Sequence, residues 1–231
     1  MRTDVRGVWA IVPVKTFARA KQRLASVLSE QERARLAEAM LCDVLEQLTA
    51  LSQLEGIMVV TADPLAAQIA GAFRARHVWD PSESGVNAAV ARGLDALPLV
   101  ECPVAIIAAD VPFATSTEIA NALSGLERHS IVLTPAETDG GTNLLAVRRA
   151  GLIEPSFGEG SFARHREQAR ALNLSCSIFR AAGLGHDIDR AGDLLSPAGS
   201  GGKRVSALLK HLNVTARLET AFEQPHLARA L

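Results

Sequence analysis

The sequence lacks a net charge of either sign. Lys and Arg together number 24 and Asp and Glu 25, so the formal net charge is −1 across 231 residues. Nucleic-acid binding usually requires an extended basic surface, which this balance does not supply. We therefore expect no nucleic-acid partner, and any phosphate that the chain binds should be small and held by a few local groups.

Cysteine pairs and long apolar segments are also missing. The three cysteines are far apart and form no CxxC pair, which favours buried, reduced thiols over a metal or redox centre. No apolar segment approaches the length that spans a bilayer, and Val8–Val14 does not resemble a secretory signal. We expect a cytoplasmic protein without a membrane partner.

Short apolar runs alternate with helical patterns along the chain, which predicts an α/β fold with a mostly parallel sheet flanked by helices. Ser29 and Glu32 form the spacing of a capping box ahead of an amphipathic helix. The predicted strands are Val8–Val14, Ile57–Thr61, Val104–Ala108, Ile131–Pro135, Leu144–Val147 and Ser177–Arg180.

Breaks in the pattern suggest three parts. Residues 1–195 form the main domain, 196–202 a Gly/Ser/Pro linker and 203–231 a helical extension. The apolar spacing in 203–212 predicts a helix that packs on the body or on a second subunit, so a homodimer is possible.

Polar residues follow the predicted strands. Ligands of open α/β sheets bind at the carboxyl ends of the strands, so Lys15, Asp63, Asp110 and Asp139 predict one site there.

A cationic loop follows the first predicted strand and carries Lys15, Arg19, Lys21 and Arg23. Several cations at the ligand edge suit a triphosphate whose charge moves toward a leaving pyrophosphate. A solvated basic loop is the alternative, because charge runs are often only surface.

Three carboxylates predict a metal site. Asp110 ends an apolar strand, and Asp187 and Asp189 point the same way if their segment is extended. Oxygen ligands with positions left for phosphate suit Mg²⁺. The alternative is that Asp110 and Asp189 only cap the helices that follow.

Two glycine-rich segments, 139–143 and 157–165, bring backbone amides and Ser161 to a predicted helix start, where an anion could bind. A hairpin turn with an ordinary cap explains the same residues. His165 is expected on the exposed first turn, as an anion ligand or as a surface histidine. Residues 199–203 resemble a P-loop, but Pro197 occupies its first glycine position and no strand precedes it.

Taken together, six motifs resemble the 2-phospho-L-lactate guanylyltransferase family of deazaflavin coenzyme biosynthesis. They are PVKxxxxAKxRL at 13–24, GVNAAV at 85–90, AADVP at 108–112, GGTN at 140–143, FGxxSFxxH at 157–165 and DIDxxxDL at 187–194. Gln22 departs from the family's usual Ser or Thr, and the segment beyond Ser196 is longer than the family core.

The resemblance implies a nucleotidyltransferase (GT-A-like) fold and transfer of GMP from GTP to 2-phospho-L-lactate, phosphoenolpyruvate or 3-phospho-D-glycerate. It assigns each site residue a role. Lys15 and Arg23 would bind the GTP phosphates, and Gly85 and Asn87 the nucleoside. Mg²⁺ would be held by Asp110, Asp187 and Asp189, and the acceptor phosphate would be bound by Thr142, Gly158, Ser161 and His165. Lys15, Arg23 and Asp110 are the predicted catalytic residues.

Two other functions share these features. A GT-A glycosyltransferase would use Asp187 and Asp189 as its DxD motif, although a cationic loop suits a triphosphate better. A nucleotide-binding regulator could use the same fold without catalysis, but it would not need these carboxylates and Lys15.

Overall fold

Seven strands form one sheet in the computed structural model of the chain, which describes residues 7–99, 101–195 and 201–223. The order across the sheet is β3-β2-β1-β4-β6-β5-β7, and only β6 runs antiparallel to its neighbours. The strands are β1 Val8–Pro13, β2 Leu54–Thr61, β3 Arg76–Trp79, β4 Val104–Ile107, β5 Ile131–Pro135, β6 Thr142–Val147 and β7 Cys176–Ile178.

Helices cover both faces of the sheet. Successive residues of β1 alternate between them, with Ala10 and Val12 in one apolar cluster and Ile11 in the other. Buried residues of α1, α4, α6 and α7 fill the first cluster, and those of α3 and α5 join the second. The helices are α1 Glu30–Thr49, α2 Pro64–Ala72, α3 Val86–Asp95, α4 Ser116–Ser124, α5 Ser161–Ala171, α6 Lys203–His211 and α7 Val214–Glu223.

The predicted α/β class is confirmed, and so is the capping box of Ser29 and Glu32 at α1. All six predicted strands exist, with bounds that differ by up to three residues at either end. The edge strand β3 was not predicted. Its first two residues, Arg76 and His77, are polar, and three of its four residues are exposed. The strand therefore has no apolar run that would predict it.

Of the C-terminal helices, α6 packs on α1 and α7 packs on α6. Val205 and Leu209 of α6 are buried, and so are Val214 and Leu218 of α7. The predicted helix is therefore confirmed and packs on the body of its own chain, while residues 196–200 of the predicted linker lie outside the described residues. Among the helices of the described ranges, none combines the length and apolar character of a membrane span.

Candidate active site

The cationic loop lies at the carboxyl ends of β1 and β2 and is anchored at several points. The Phe17 amide donates to Asp63 Oδ2 at 2.8 Å, and Phe17 and Leu24 are both buried. Asp63 also caps α2 by accepting from the amides of Leu65 and Ala66. The loop therefore has a defined path, unlike a merely solvated basic loop, and Asp63 positions it.

The sequence predicts no individual role for Lys21 of this loop, but its side chain turns into the site. Its ammonium lies 2.6 Å from Asp110 Oδ2 and 2.7 Å from Asp189 Oδ1. Burial alone would lower the pKa of Lys21, but the charges and hydrogen bonds of the two carboxylates outweigh it, so the pKa is raised. The sequence shows a lysine here, but it does not show which of the four cations turns inward.

The three predicted carboxylates do come together. The backbone amide of Ile188 donates to the Asp110 carbonyl at 3.0 Å, which joins the segment after β4 to the segment that carries Asp187 and Asp189. Burial and the nearby charge of Asp110 raise the pKa of Asp187 to about 6, although a hydrogen bond from Asn143 at 3.2 Å opposes the shift.

Asp189 has the opposite electrostatic setting. Burial would raise its pKa, but Lys21, Arg23 and Lys15 together hold the pKa below its usual value. Arg23 contributes an ion pair of 3.3 Å to Asp189 Oδ2. Asp189 is thus ion-paired with Lys21 and Arg23 of the cationic loop.

The helix-cap alternatives are wrong. Thr115 caps α4 in a complete capping box, so Asp110 does not cap it. Asp193 accepts from the amides of Asp189 and Arg190 at 2.9 and 2.7 Å and so stabilises the start of the short turn Ala191–Leu194. Neither Asp110 nor Asp189 is needed for a helix end.

The donor set fits Mg²⁺ through two carboxylates rather than three. Within the described residues, no group of three or more Asp, Glu, His or Cys side chains is arranged to hold a metal ion. Mg²⁺ typically binds through one or two carboxylates, waters and substrate phosphates. Asp187, which is buried, and the partly exposed Asp110 lie close enough to interact and match that requirement, whereas Asp189 is paired with Lys21 and Arg23.

The predicted acceptor residues form a buried hydrogen-bonded chain. Ser161 donates to Thr142 Oγ1 at 3.1 Å, and Thr142 Oγ1 lies 3.0 Å from Nδ1 of His165. Nε2 of His165 accepts from the Ser156 amide at 2.9 Å, which assigns the remaining ring proton to Nδ1. These bonds fix the start of β6 against α5.

The expected exposure of His165 is wrong. The residue is fully buried, and its ring packs edge-on against Phe157 with centroids 5.1 Å apart. Burial, with a smaller contribution from Arg164, lowers the pKa of His165 to about 4, so the imidazole is neutral at pH 7. A neutral buried ring cannot serve as a surface anion ligand, and its visible role is to position Thr142 and the loop at Ser156.

The loop before α5 remains open to solvent. Gly158 is exposed with a φ of 117°, a region that favours glycine, and the Arg164 guanidinium donates to the carbonyls of Glu159 and Ser156. The predicted acceptor-binding set therefore divides into exposed backbone at Gly158 and buried side chains of Thr142, Ser161 and His165.

Asn87 connects the predicted nucleoside side to this loop. Gly85, with a φ of 103°, precedes α3, and the Asn87 amide exchanges two hydrogen bonds with the Phe157 backbone, at 2.7 and 3.2 Å. In this structure the polar atoms of Asn87 hold the Phe157 loop.

Known proteins resemble this chain over most of its length. A family model described as "Guanylyl transferase CofC like" matches residues 8–226. The chain is 40% identical to 3-phospho-D-glycerate guanylyltransferase of Phenylobacterium zucineum, with 88% of this chain and 95% of that protein covered. It is 38% identical to phosphoenolpyruvate guanylyltransferase of Sphaerobacter thermophilus, covering 82% and 92%. It is 32% identical to 2-phospho-L-lactate guanylyltransferase of Methanothermobacter thermautotrophicus, covering 80% and 81%.

Solved structures share the fold at low sequence identity. A protein from Desulfovibrio desulfuricans described as a nucleotide-diphospho-sugar transferase superposes with a TM-score of 0.71 at 17% identity, covering 92% of this chain and 98% of that one. A nucleotidyl transferase from Methanothermobacter superposes with a TM-score of 0.58 at 15% identity, covering 89% and 99%.

Proposed function

The chain belongs to the CofC-like guanylyl transferase family, and from this premise we propose that it transfers GMP from GTP to the phosphate of a small phosphorylated carboxylic acid and releases pyrophosphate. The predicted family, fold and nucleotidyltransferase class are confirmed. The proposed acceptors are 3-phospho-D-glycerate, phosphoenolpyruvate and 2-phospho-L-lactate, and the proposed pathway is deazaflavin coenzyme biosynthesis.

One observation carries this function beyond family membership. The cationic loop and the carboxylates of two other segments converge on one point, where Lys21 and Arg23 contact Asp189 and Lys21 contacts Asp110. A site with both signs of charge suits a metal-bound triphosphate, because carboxylates attract the metal and cations attract the phosphates. Lys15 and Arg23 are both exposed, so such a ligand could contact them from solvent.

In the proposed reaction, an oxygen of the acceptor phosphate attacks the α-phosphorus of GTP in line. A new P–O bond forms, the bond between the α-phosphorus and the bridging oxygen breaks, and pyrophosphate leaves. The attacking phosphate is already ionised at neutral pH, so no general base is required. The main barrier is therefore the repulsion between two anions.

The residues of this chain lower that repulsion. Lys15 and Arg23 bind and screen the triphosphate as charge moves to the leaving group. Asp110 and Asp187 would hold Mg²⁺, which neutralises phosphate oxygens when bound. Exposed backbone at Gly158 orients the acceptor phosphate, while the buried bonds of Thr142, Ser161 and His165 keep that loop in place.

The direct test is pyrophosphate release from GTP and Mg²⁺ with each of the three acids in parallel. Release that depends on one acid establishes the reaction and identifies the acceptor. If GTP binds but none of the three acids produces pyrophosphate, the proposed acceptor class is wrong. Release of pyrophosphate also separates this activity from a glycosyltransferase, which would leave the triphosphate intact.

Asp110→Asn tests the role of this carboxylate. We expect kcat to fall by about a hundredfold or more, because the substitution removes a charge from the metal-binding pair while preserving its shape. Thermal unfolding should show that the fold is intact, and Glu101→Gln, on the exposed surface, is the matched control. A kcat close to wild type would remove Asp110 from the proposed machinery.

A further inference from the structure

Lys21 is the most enclosed of the ion-paired cations on the cationic loop. Its side chain is 9% exposed, compared with 60% for Arg23 and 78% for Arg19. The ammonium lies within 2.7 Å of oxygens from both Asp110 and Asp189. The two carboxylates therefore already have a counter-ion, which the protein itself supplies.

The backbone around Lys21 is anchored by its neighbours in the chain. Phe17 and Leu24 are buried on either side of it, and the Lys21 carbonyl accepts from the Leu24 amide at 2.9 Å. Lys21 itself has a φ of 52°, a left-handed conformation that costs a lysine about 1 kcal/mol or more. This conformation aims a long, flexible side chain at the carboxylates while the loop stays in place.

Lys21 and a metal ion would compete for Asp110. Mg²⁺ requires its ligand oxygens at about 2.0–2.1 Å in a regular octahedron. A dication there would lie next to the ammonium that already contacts the same carboxylate, and the two charges repel. The arrangement with Lys21 between the carboxylates and the arrangement with a bound metal are therefore alternatives.

We infer that Lys21 is a resident counter-ion that the incoming metal–nucleotide complex displaces, its ammonium moving from Asp110 and Asp189 to the triphosphate. The inference rests on the proposed function, because it takes Asp110 as a metal-binding carboxylate. Lys21 would then have two successive partners, first the two carboxylates and then the triphosphate. Its side chain would reach its final position in the nucleotide site only when the nucleotide binds.

Coupled binding follows from this exchange. A poorly solvated ammonium needs anionic partners, and metal alone would take Asp110 from Lys21 without offering a replacement, leaving it only Asp189, which Arg23 shares. Metal together with a triphosphate offers one. Metal and nucleotide should therefore each raise the affinity of the protein for the other, since coupling between two ligands is reciprocal.

The test is metal binding by calorimetry with no GTP and no acid present. Wild type should bind Mg²⁺ or Mn²⁺ weakly, and Lys21→Met should bind it about tenfold more tightly, within the usual range for such coupling. Lys15→Met removes the same charge from an exposed side chain of the same loop and should change the affinity much less. Equal affinities of wild type and Lys21→Met, or an equal increase in both variants, would overturn the inference.

Thermal stability provides a second readout. Without Lys21, neighbouring carboxylates repel, so Lys21→Met should melt at a lower temperature than wild type in EDTA and recover with Mg²⁺. Lys21→Arg keeps the counter-ion and should retain the weak metal binding of wild type. If Lys21→Met is unfolded in EDTA, recovery of its far-UV circular dichroism with Mg²⁺ supports the inference and failure to recover overturns it.

These measurements remain separate from the test of activity. If wild type releases pyrophosphate but Lys21→Met binds metal no better, only the counter-ion exchange is wrong. If the exchange is observed but no acid yields pyrophosphate, only the proposed reaction is wrong.

Discussion

The imidazole of His165 is a single side chain on which two separate segments depend. It contacts the Thr142 hydroxyl at the start of β6 and the Ser156 amide in the loop before α5. The contact with Ser156 requires the neutral ring, since a protonated ring would present a second N–H to the Ser156 amide, which is itself a donor. The protonation of one residue is thereby linked to the stability of the acceptor side.

The sign of this linkage gives a stability prediction. The folded-state pKa of His165 is about 4, below its ordinary value of 6.5, so the unfolded chain binds the proton more tightly. The neutral His165 ring makes its full contribution to the free energy of unfolding above pH 6.5. That contribution falls by a total of about 3 kcal/mol as the pH falls toward 4.

Urea unfolding at several pH values between 7.5 and 4.5 measures this effect. His165→Asn should be less stable than wild type at pH 7.5, and the difference should shrink as pH falls. His211→Asn, at an exposed position, is the control and should follow wild type at every pH. A difference that stays constant with pH would show that His165 does not titrate as described.

At the scale of elements, the Asn87 amide joins α3 to the loop ahead of α5. Asn87→Ala removes two hydrogen bonds to the Phe157 backbone. We expect KM for the acceptor acid to rise about tenfold, the equivalent of 1.4 kcal/mol, and KM for GTP to change less. Asn121→Ala, at an exposed position of α4, is the control. A selective rise in KM for GTP would instead support the nucleoside role that the family resemblance implies.

α6 is capped from another element. Its first residues follow Gly202, which has no side chain to accept their amides, and Asp43 of α1 accepts from the amides of Arg204 and Val205 at 3.1 and 2.9 Å. Asp43 is 2% exposed. One buried carboxylate therefore both caps α6 and attaches it to the body.

Asp43→Ala should lower the free energy of unfolding by about 2–3 kcal/mol, because it removes a cap and leaves buried donors unpaired. Guanidinium unfolding provides the measurement. Glu46→Ala is the matched control, because Glu46 pairs with the same Arg204 on the surface and should cost less than about 1 kcal/mol. Equal losses for the two variants would mean that the cap contributes nothing measurable.

Across the whole molecule, the sequence predicts those features that depend on local pattern. Apolar runs locate the central strands, and the rule that ligands bind at strand ends brings Asp110 to the site. The direction of β6 depends on pairing between distant strands, and no local pattern reveals it. The inward turn of Lys21 depends on a left-handed backbone, and the burial of His165 depends on a loop that folds over an otherwise polar helix.

The reversed direction of β6 has a consequence for how acceptor choice could evolve. Because β6 is antiparallel to β4, its first residues lie at the carboxyl ends of the parallel strands, which is the ligand edge of the sheet. Residues 136–165 therefore form a continuous module whose first and last residues both lie at this edge. The cationic loop, Asp110 and Asp189 all lie outside that module.

The module could therefore be exchanged between relatives while the nucleotide side stays unchanged. Replacing residues 136–165 by the matching segment of a relative with a different acceptor should move the ratio of kcat/KM values toward that acid and leave KM for GTP within about threefold, or roughly 0.6 kcal/mol. Replacing residues 14–24 is the control and should not alter acceptor preference. An unchanged ratio after the first exchange would place acceptor choice elsewhere; a changed one would show that new acids can be recruited by inheriting a single contiguous segment.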